Sequence, residues 1–331
     1  MKNCLICNHR PATFSMKSIF LLTFLFSIPT GFLKLSAQPD TVKAGAYIIS
    51  VHDINFRDKE YTIRFWLWFL YDNPSFNFSR QIDIPNAKSI EQPDIIIDEL
   101  EGRSWAMMKM KCVMKENWMV HDFPFDQQHL KVKIENSIYD VNSLVFEPDV
   151  KGSVFGDDET IDGWGISNFK VSTTQNEYQT GFGDSRPGRD KQNFSQFIIE
   201  MDIERDAFGL FMKIFLGMYI AFLISMLSFT PHPSELEPRF GLPVGGLFAA
   251  VGNKYIIDFL LPETSSFTLV DTLHTLTFMA IFMTLVVSAL SLKLYDRGKS
   301  EESVRFSRRG SRVVVSAYVL LNVIFIFLAI F

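Results

Sequence analysis

Two periodicities divide the chain. Between Gln38 and Asp206, apolar and polar positions alternate or run apolar over short stretches: Tyr61–Asp72 (YTIRFWLWFLYD), Ser104–Lys115, His129–Asp140 and Phe194–Asp206. A period of two puts alternate side chains on one face, the pattern of a half-buried strand. Turn formers, such as Asp72-Asn73-Pro74 and Pro187-Gly188, break the runs. Several short strands with turn signals predict an immunoglobulin-like all-β sandwich over residues 38–206. Within it Glu147–Gly165 reads as a loop region and Gln175–Gln192 as the tip of a long hairpin.

From Ala207 the period of two gives way to long apolar blocks, at about 208–229, 240–261, 267–294 and 313–331. Each is long enough to cross a bilayer. The four together predict a transmembrane helix bundle over 207–331, with a basic loop at 295–312. That loop carries Arg297, Lys299, Arg305, Arg308, Arg309 and Arg312, next to Lys293, so it is expected on the cytoplasmic side. With four spans, the sandwich and the C-terminus then lie on the periplasmic or extracellular side of the cell (inner) membrane. The front of the chain agrees with that orientation. Lys17, the apolar run Ile19–Ile28 and the small pair Ser36-Ala37 have the three-part form of a secretory leader, starting at Met1 or Met16 and cleaved after Ala37.

The second span is unlike the others. It contains Pro243, Lys254, Asp258 and four glycines, and ionisable groups are expensive against hydrocarbon. Steps of three and four place Gly241, Gly245, Phe248, Gly252, Tyr255 and Phe259 on one stripe. Such a stripe serves either close helix packing or the wall of a water-filled pore. Asp271 and His274 lie one turn apart in the third span, as a helix–helix hydrogen bond or a proton-sensitive pair.

Charge and chemistry narrow the function. Residues 38–206 hold 29 acidic and 18 basic residues, a net charge of −11, which argues against nucleic acid and favours local enrichment of cations. Cys4 and Cys7 fall in the leader, so the mature chain keeps Cys112 alone and forms no internal disulfide. The six histidines show no metal-ligand spacing, and there is no GxSxG elbow or phosphate loop. No enzyme, cofactor or metal site is expected, and the acidic Phe155–Gly163 loop departs from calcium-loop spacing.

One short segment is specific. Phe123–Gln128 (FPFDQQ) resembles the signature turn of the pentameric ligand-gated ion channels, the Cys-loop receptor superfamily, and Glu237–Gly246 (EPRFGLPVGG) is similar to the start of that family's second helix. The resemblance covers nearly all of the mature chain. The family's loop cysteines would fall on Glu116 and Leu130, so the likeness is to prokaryotic members that lack the disulfide.

The resemblance implies a homopentamer whose second helix lines the pore, with Glu237 at the cytoplasmic mouth. Phe248 would be the large apolar ring of the inner half. It implies a gating interface in which Phe123, Pro124 and Phe125 press on the Pro262–Phe267 loop while Asp126 pairs with Arg205. An agonist, a small molecule or a proton, would act from the external domain. Trp118, Phe155, Tyr178 and Phe182 are the aromatic candidates for an amine cage between subunits. Permeant monovalent ions and membrane lipids complete the expected partners. Glu235 and Glu237 favour cations, whereas the PRFGL stretch and Arg239 resemble anion-conducting members; the acidic outer domain tips the balance toward cations. The alternative is a non-conducting, membrane-anchored β-sandwich receptor or sensor, and a transporter is disfavoured because no broken-helix pattern repeats in two halves.

Overall fold

The structure is a computed structural model. It describes residues 38–330 apart from Gln92, 157–162, 187–188 and 264–265. The leader, Cys4, Cys7, the acidic stretch of the 155–163 loop and the Pro187-Gly188 turn lie outside the described residues. Pro39–Phe331 forms one compact unit.

The predicted sandwich is present. One sheet runs β4 (Ala87–Glu91), β6 (Arg103–Lys115), β2 (Glu60–Tyr71), β1 (Asp40–Asn55), β8 (Leu144–Pro148), with β5 (Ile95–Leu100) also on β6 and β9 (Val154–Phe155) on β1. The second runs β10 (Trp164–Tyr178), β11 (Gln192–Arg205), β7 (Gln127–Asn136), β3 (Ile82–Asp83). Alternation decides which side faces in. Tyr61, Ile63, Phe65, Leu67 and Phe69 of β2 are fully buried, and so are Phe197, Ile199 and Ile203 of β11 opposite. Each such side chain contributes roughly 1.5–3 kcal/mol by leaving water, so Phe65→Ala would cost on the order of 3–5 kcal/mol. Cys112 belongs to this core; burial pushes its thiol up to about 12, far from a nucleophile. A short helix, α1 (Phe78–Gln81), leads into β3.

Four helices follow: α2 (Ala207–Met226, continued by a 3-10 turn at Leu227–Phe229), α3 (Leu236–Asp258), α4 (Leu269–Asp296) and α5 (Ser300–Ile330). All four are long and apolar enough to cross a membrane, which marks a multi-pass membrane protein. The start of α4 is set by a capping box, Thr268 accepting from the Asp271 N–H and Asp271 from the Thr268 N–H.

One expectation is corrected. The basic stretch 300–312 is the first part of α5 rather than a loop. Glu301 and Glu302 occupy its first turn, and the Lys299–Glu302 (2.9 Å) and Glu301–Arg305 (3.7 Å) pairs follow helical spacing. Only Arg297–Lys299 separates α4 from α5.

Candidate functional site

On α3 the glycines fall into two groups. Gly246 faces inward, where an added Cβ would lie 2.2 Å from Ser225 Oγ and 2.6 Å from the Ala221 carbonyl oxygen on α2. It therefore permits the close approach of two backbones. Gly241, Gly245 and Gly252 meet nothing within 4 Å. They share an uncovered face with Glu237, Phe248 (73% exposed), Tyr255 and Phe259. Pro243, Ala250 and Ile257 form the opposite, buried face. This exposed stripe is the one the sequence spacing marked, and α3 is the least apolar of the four spans. Arg239 turns away from it. It is 1% exposed and donates from Nη2 to Ser307 Oγ on α5.

Lys254 and Asp258 are paired at the far end of α3. Lys254 bonds Asp258 on its own helix and Asp271 of α4 at 2.7 Å. Beside them the fully buried His274 places Nδ1 2.8 Å from the Val270 carbonyl oxygen and Nε2 3.1 Å from Asn253 Oδ1 on α3. Asn253 in turn donates to the Ile214 carbonyl of α2 at 3.2 Å. His274 thus occupies a helix–helix hydrogen bond, one of its two expected roles.

The sandwich meets the bundle through the FPFD turn, whose Phe123–Pro124 bond is cis. Arg205 ends β11 just before α2 and is wrapped by three rings. Its guanidinium carbon lies 4.2 Å from the Trp164 centroid, 4.6 Å from Phe56 and 4.8 Å from Phe123. Asp126 completes the enclosure, with Oδ1 3.4 Å from Arg205 Nε and Oδ2 3.5 Å from Nη2. Those lengths make the attraction chiefly electrostatic. Burial raises the Asp126 carboxyl above its ordinary range and holds the Arg205 guanidinium below its own, each against the opposing charge of the other. Gln128 donates to Asp126 at 2.6 Å and bonds both backbone groups of Met119, fixing the irregular segment ahead of the turn.

The turn meets the bundle at two described contacts. Phe125 packs on Phe211 of α2, with centroids 5.6 Å apart, and the His121 carbonyl accepts from the Leu269 N–H at 2.8 Å. Among the described residues these partners are α2 and the start of α4, which directly follows the expected Pro262–Phe267 loop. Of the expected partner loop, Pro262 is buried, Phe267 is exposed and residues 264–265 lie outside the described set. A third junction contact escaped the sequence reading: Arg57, in the β1–β2 turn, lies 4.0 Å over the Phe259 ring. It borders a cleft of about 610 Å³ that also reaches Tyr255 and Asp258.

No known family model matches the chain, and no curated protein does. What it does must be argued from these sites.

The four aromatic candidates separate. Tyr178 and Phe182 come together, centroids 5.4 Å apart, with Phe194 5.8 Å from Tyr178. They line a cleft of about 380 Å³ with Asp83 and Glu135, which face each other across β3 and β7. Glu135 accepts from Tyr178 Oη (2.9 Å), Asn176 (2.9 Å) and Gln196 (2.6 Å), so Asp83 is the carboxylate left open to solvent. Burial, then Glu135, pushes the Tyr178 phenol up to about 12, keeping it a donor. Trp118, by contrast, is a core residue: 7% exposed, stacked on Phe56 at 4.7 Å and donating to the Asn55 carbonyl at 2.9 Å. Phe155 pairs in β9 with Ile48 and packs on the core. Neither joins the Tyr178 cleft. Asp83, Glu135 and Phe194 were not legible beforehand, because cross-strand pairing assembles them from three separate segments.

Proposed function

We propose that the chain is a subunit of a pentameric ligand-gated ion channel with its α3 stripe facing the pore. The observation that carries this reading is the division of the α3 glycines. Packing accounts for Gly246 but leaves Gly241, Gly245 and Gly252 with no neighbour, on the face that also presents Phe248. Five Phe248 rings on an axis would form an apolar constriction that closes by dewetting and opens with a small helix tilt. Glu237 is exposed at the end of the stripe, whereas Arg239 is withdrawn toward α5. That difference supports cation over anion conduction.

In this reading the sandwich lies outside, the basic start of α5 lies in the cytoplasm, and an agonist acts at the Tyr178–Phe182 cleft. Aromatic faces beside an open Asp83 suit an ammonium group. The contacts of Phe125, His121 and Arg57 with α2, α4 and Phe259 would carry its effect to the bundle. No step calls for a bound metal, cofactor or catalytic group.

Purified protein in planar bilayers under a salt gradient tests the reading, with Phe248→Ala beside the unaltered chain. Single-channel currents changed by the substitution, reversing near the cation potential, are the expected result. Silence of both proteins across pH and a panel of amines, beside a conducting control, would leave a membrane-anchored receptor in its place.

A further inference from the structure

At the opposite end of α3 from the sandwich, a cleft of about 300 Å³ lies between the Phe229–Pro233 segment, the first turn of α3 and the second and third turns of α5. Its polar lining is Arg239, Arg308, His232, Thr230, Ser307 and Ser311, with no carboxylate among them. Arg239 is the unusual member. Although only 1% exposed, it has one partner, Ser307 Oγ, while its Nε and Nη1 find none among the described residues. A buried guanidinium without a counter-charge is costly, because the desolvation penalty is not returned, and orphaned buried donors point to a missing acceptor. Of the acids at this end, Glu301 pairs with Arg305 and Glu302 with Lys299, while Glu235 and Glu237 are exposed, and none of the four lines the cleft. Ser307 accepts from Arg239 and keeps its own proton to donate. Arg308 stands exposed at the rim.

We infer that this cleft is a phosphate-binding site. Arg239 Nε and Nη1 would take the anion's oxygens in a fork, the geometry that suits guanidinium to phosphate. Ser307 supplies a hydroxyl donor and Arg308 a second charge. The phosphate can belong to an anionic lipid headgroup, whose chains would run along the apolar surface beside α5, or to a free ion. The inference rests on the bundle alone and stands whether or not the protein conducts.

The test uses the purified full-length protein in neutral detergent. Binding and thermal protection are measured with phosphatidylglycerol, with phosphatidylcholine, and with inorganic phosphate against chloride at equal ionic strength. Phosphatidylglycerol is expected to bind about tenfold more tightly than phosphatidylcholine. Arg239→Gln should remove that preference, and Arg308→Gln, on an exposed surface, should weaken it several-fold without disturbing the fold. Protection by inorganic phosphate as well would identify the free ion as a sufficient ligand; protection by phosphatidylglycerol alone would identify the lipid. Equal binding of both lipids with no response to inorganic phosphate would overturn the inference. So would an undiminished preference in Arg308→Gln and in folded Arg239→Gln, since the guanidinium would then answer to something else, such as a neighbouring copy's carboxylate.

Discussion

Replacing Gly246 and Gly245 by alanine, one at a time, should move stability in opposite directions. At Gly246 the new methyl carbon would sit 2.2 Å from Ser225 Oγ and 2.6 Å from the Ala221 carbonyl oxygen. The hydroxyl can rotate, at the expense of its 2.9 Å hydrogen bond to that same carbonyl. The carbonyl is backbone and cannot, so α2 and α3 must separate. Overpacking of this kind costs about 1–3 kcal/mol, against a helix-propensity gain for alanine of up to ~1 kcal/mol. A net loss of up to roughly 2 kcal/mol remains. At Gly245 nothing lies within 4 Å, so the propensity gain stands alone and Gly245→Ala should be as stable as the parent or slightly more so. Fluorescence-detected size exclusion after heating ranks the three proteins directly. If Gly246→Ala survived heating as well as the parent, or if Gly245→Ala were the weaker of the two, the assignment of packed and uncovered faces on α3 would be wrong. Paired with currents, the experiment also locates the pore: Gly245→Ala should alter unitary conductance without lowering stability.

Three other outcomes follow from charged and aromatic groups. Asp126→Asn strands the buried Arg205 among its three rings and should cost roughly 3 kcal/mol, read as loss of folded protein on heating; an unchanged profile would show that the rings alone hold the guanidinium. Glu200 is held against burial by Lys131 (2.8 Å), Lys170 (3.0 Å) and His129 (3.3 Å), which bring its carboxyl from 4.5 down to about 2. Its stabilisation is therefore present above the unfolded value and lost as pH falls through that window. Glu200→Gln should flatten the acid limb of the stability profile, and an unaltered limb would refute the assignment. In the aromatic cleft, Asp83→Asn should weaken binding of a primary amine by about tenfold while Tyr178→Phe has a smaller effect; calorimetry showing equal affinities would exclude the cleft as the amine site.

How far the sequence carried differs from element to element. β2, β6, β7 and β11 were legible because the inward positions in the middle of each are apolar, as with Leu130, Val132 and Ile134 of β7. β10 was not, because an edge strand such as WGISNFKVSTTQNEY buries a single side chain, Val171, and shows little alternation. The four spans were legible from length and apolarity, but the helical start of α5 was hidden, since charged residues at helical spacing look the same as a basic loop. Phe125 and the Asp126–Arg205 pair were anticipated at the junction, yet Phe211 was not named as a partner because a contact between distant elements leaves no local trace. Trp118 illustrates the converse. The resemblance made it a candidate for the amine cage, while Phe56, far away in sequence, stacks on it within the core. Glu135 and Arg239 are ordinary charges in the sequence and unusual ones in the fold, because burial is not written at the position that suffers it.

The length of α5 sets how this protein sits in a bilayer. Its 31 residues rise about 46 Å at 1.5 Å each, well beyond a hydrocarbon layer of about 30 Å. Its first turns, with Arg305, Arg308, Arg309 and Arg312, are charged, and the apolar run begins at Val313. Sliding deeper would drag guanidinium groups into hydrocarbon, so the charged turns must stand outside it, with the arginine stems lying along apolar surface and their heads in water. The helix is in consequence a depth stop: Arg312 fixes how far the bundle can sink.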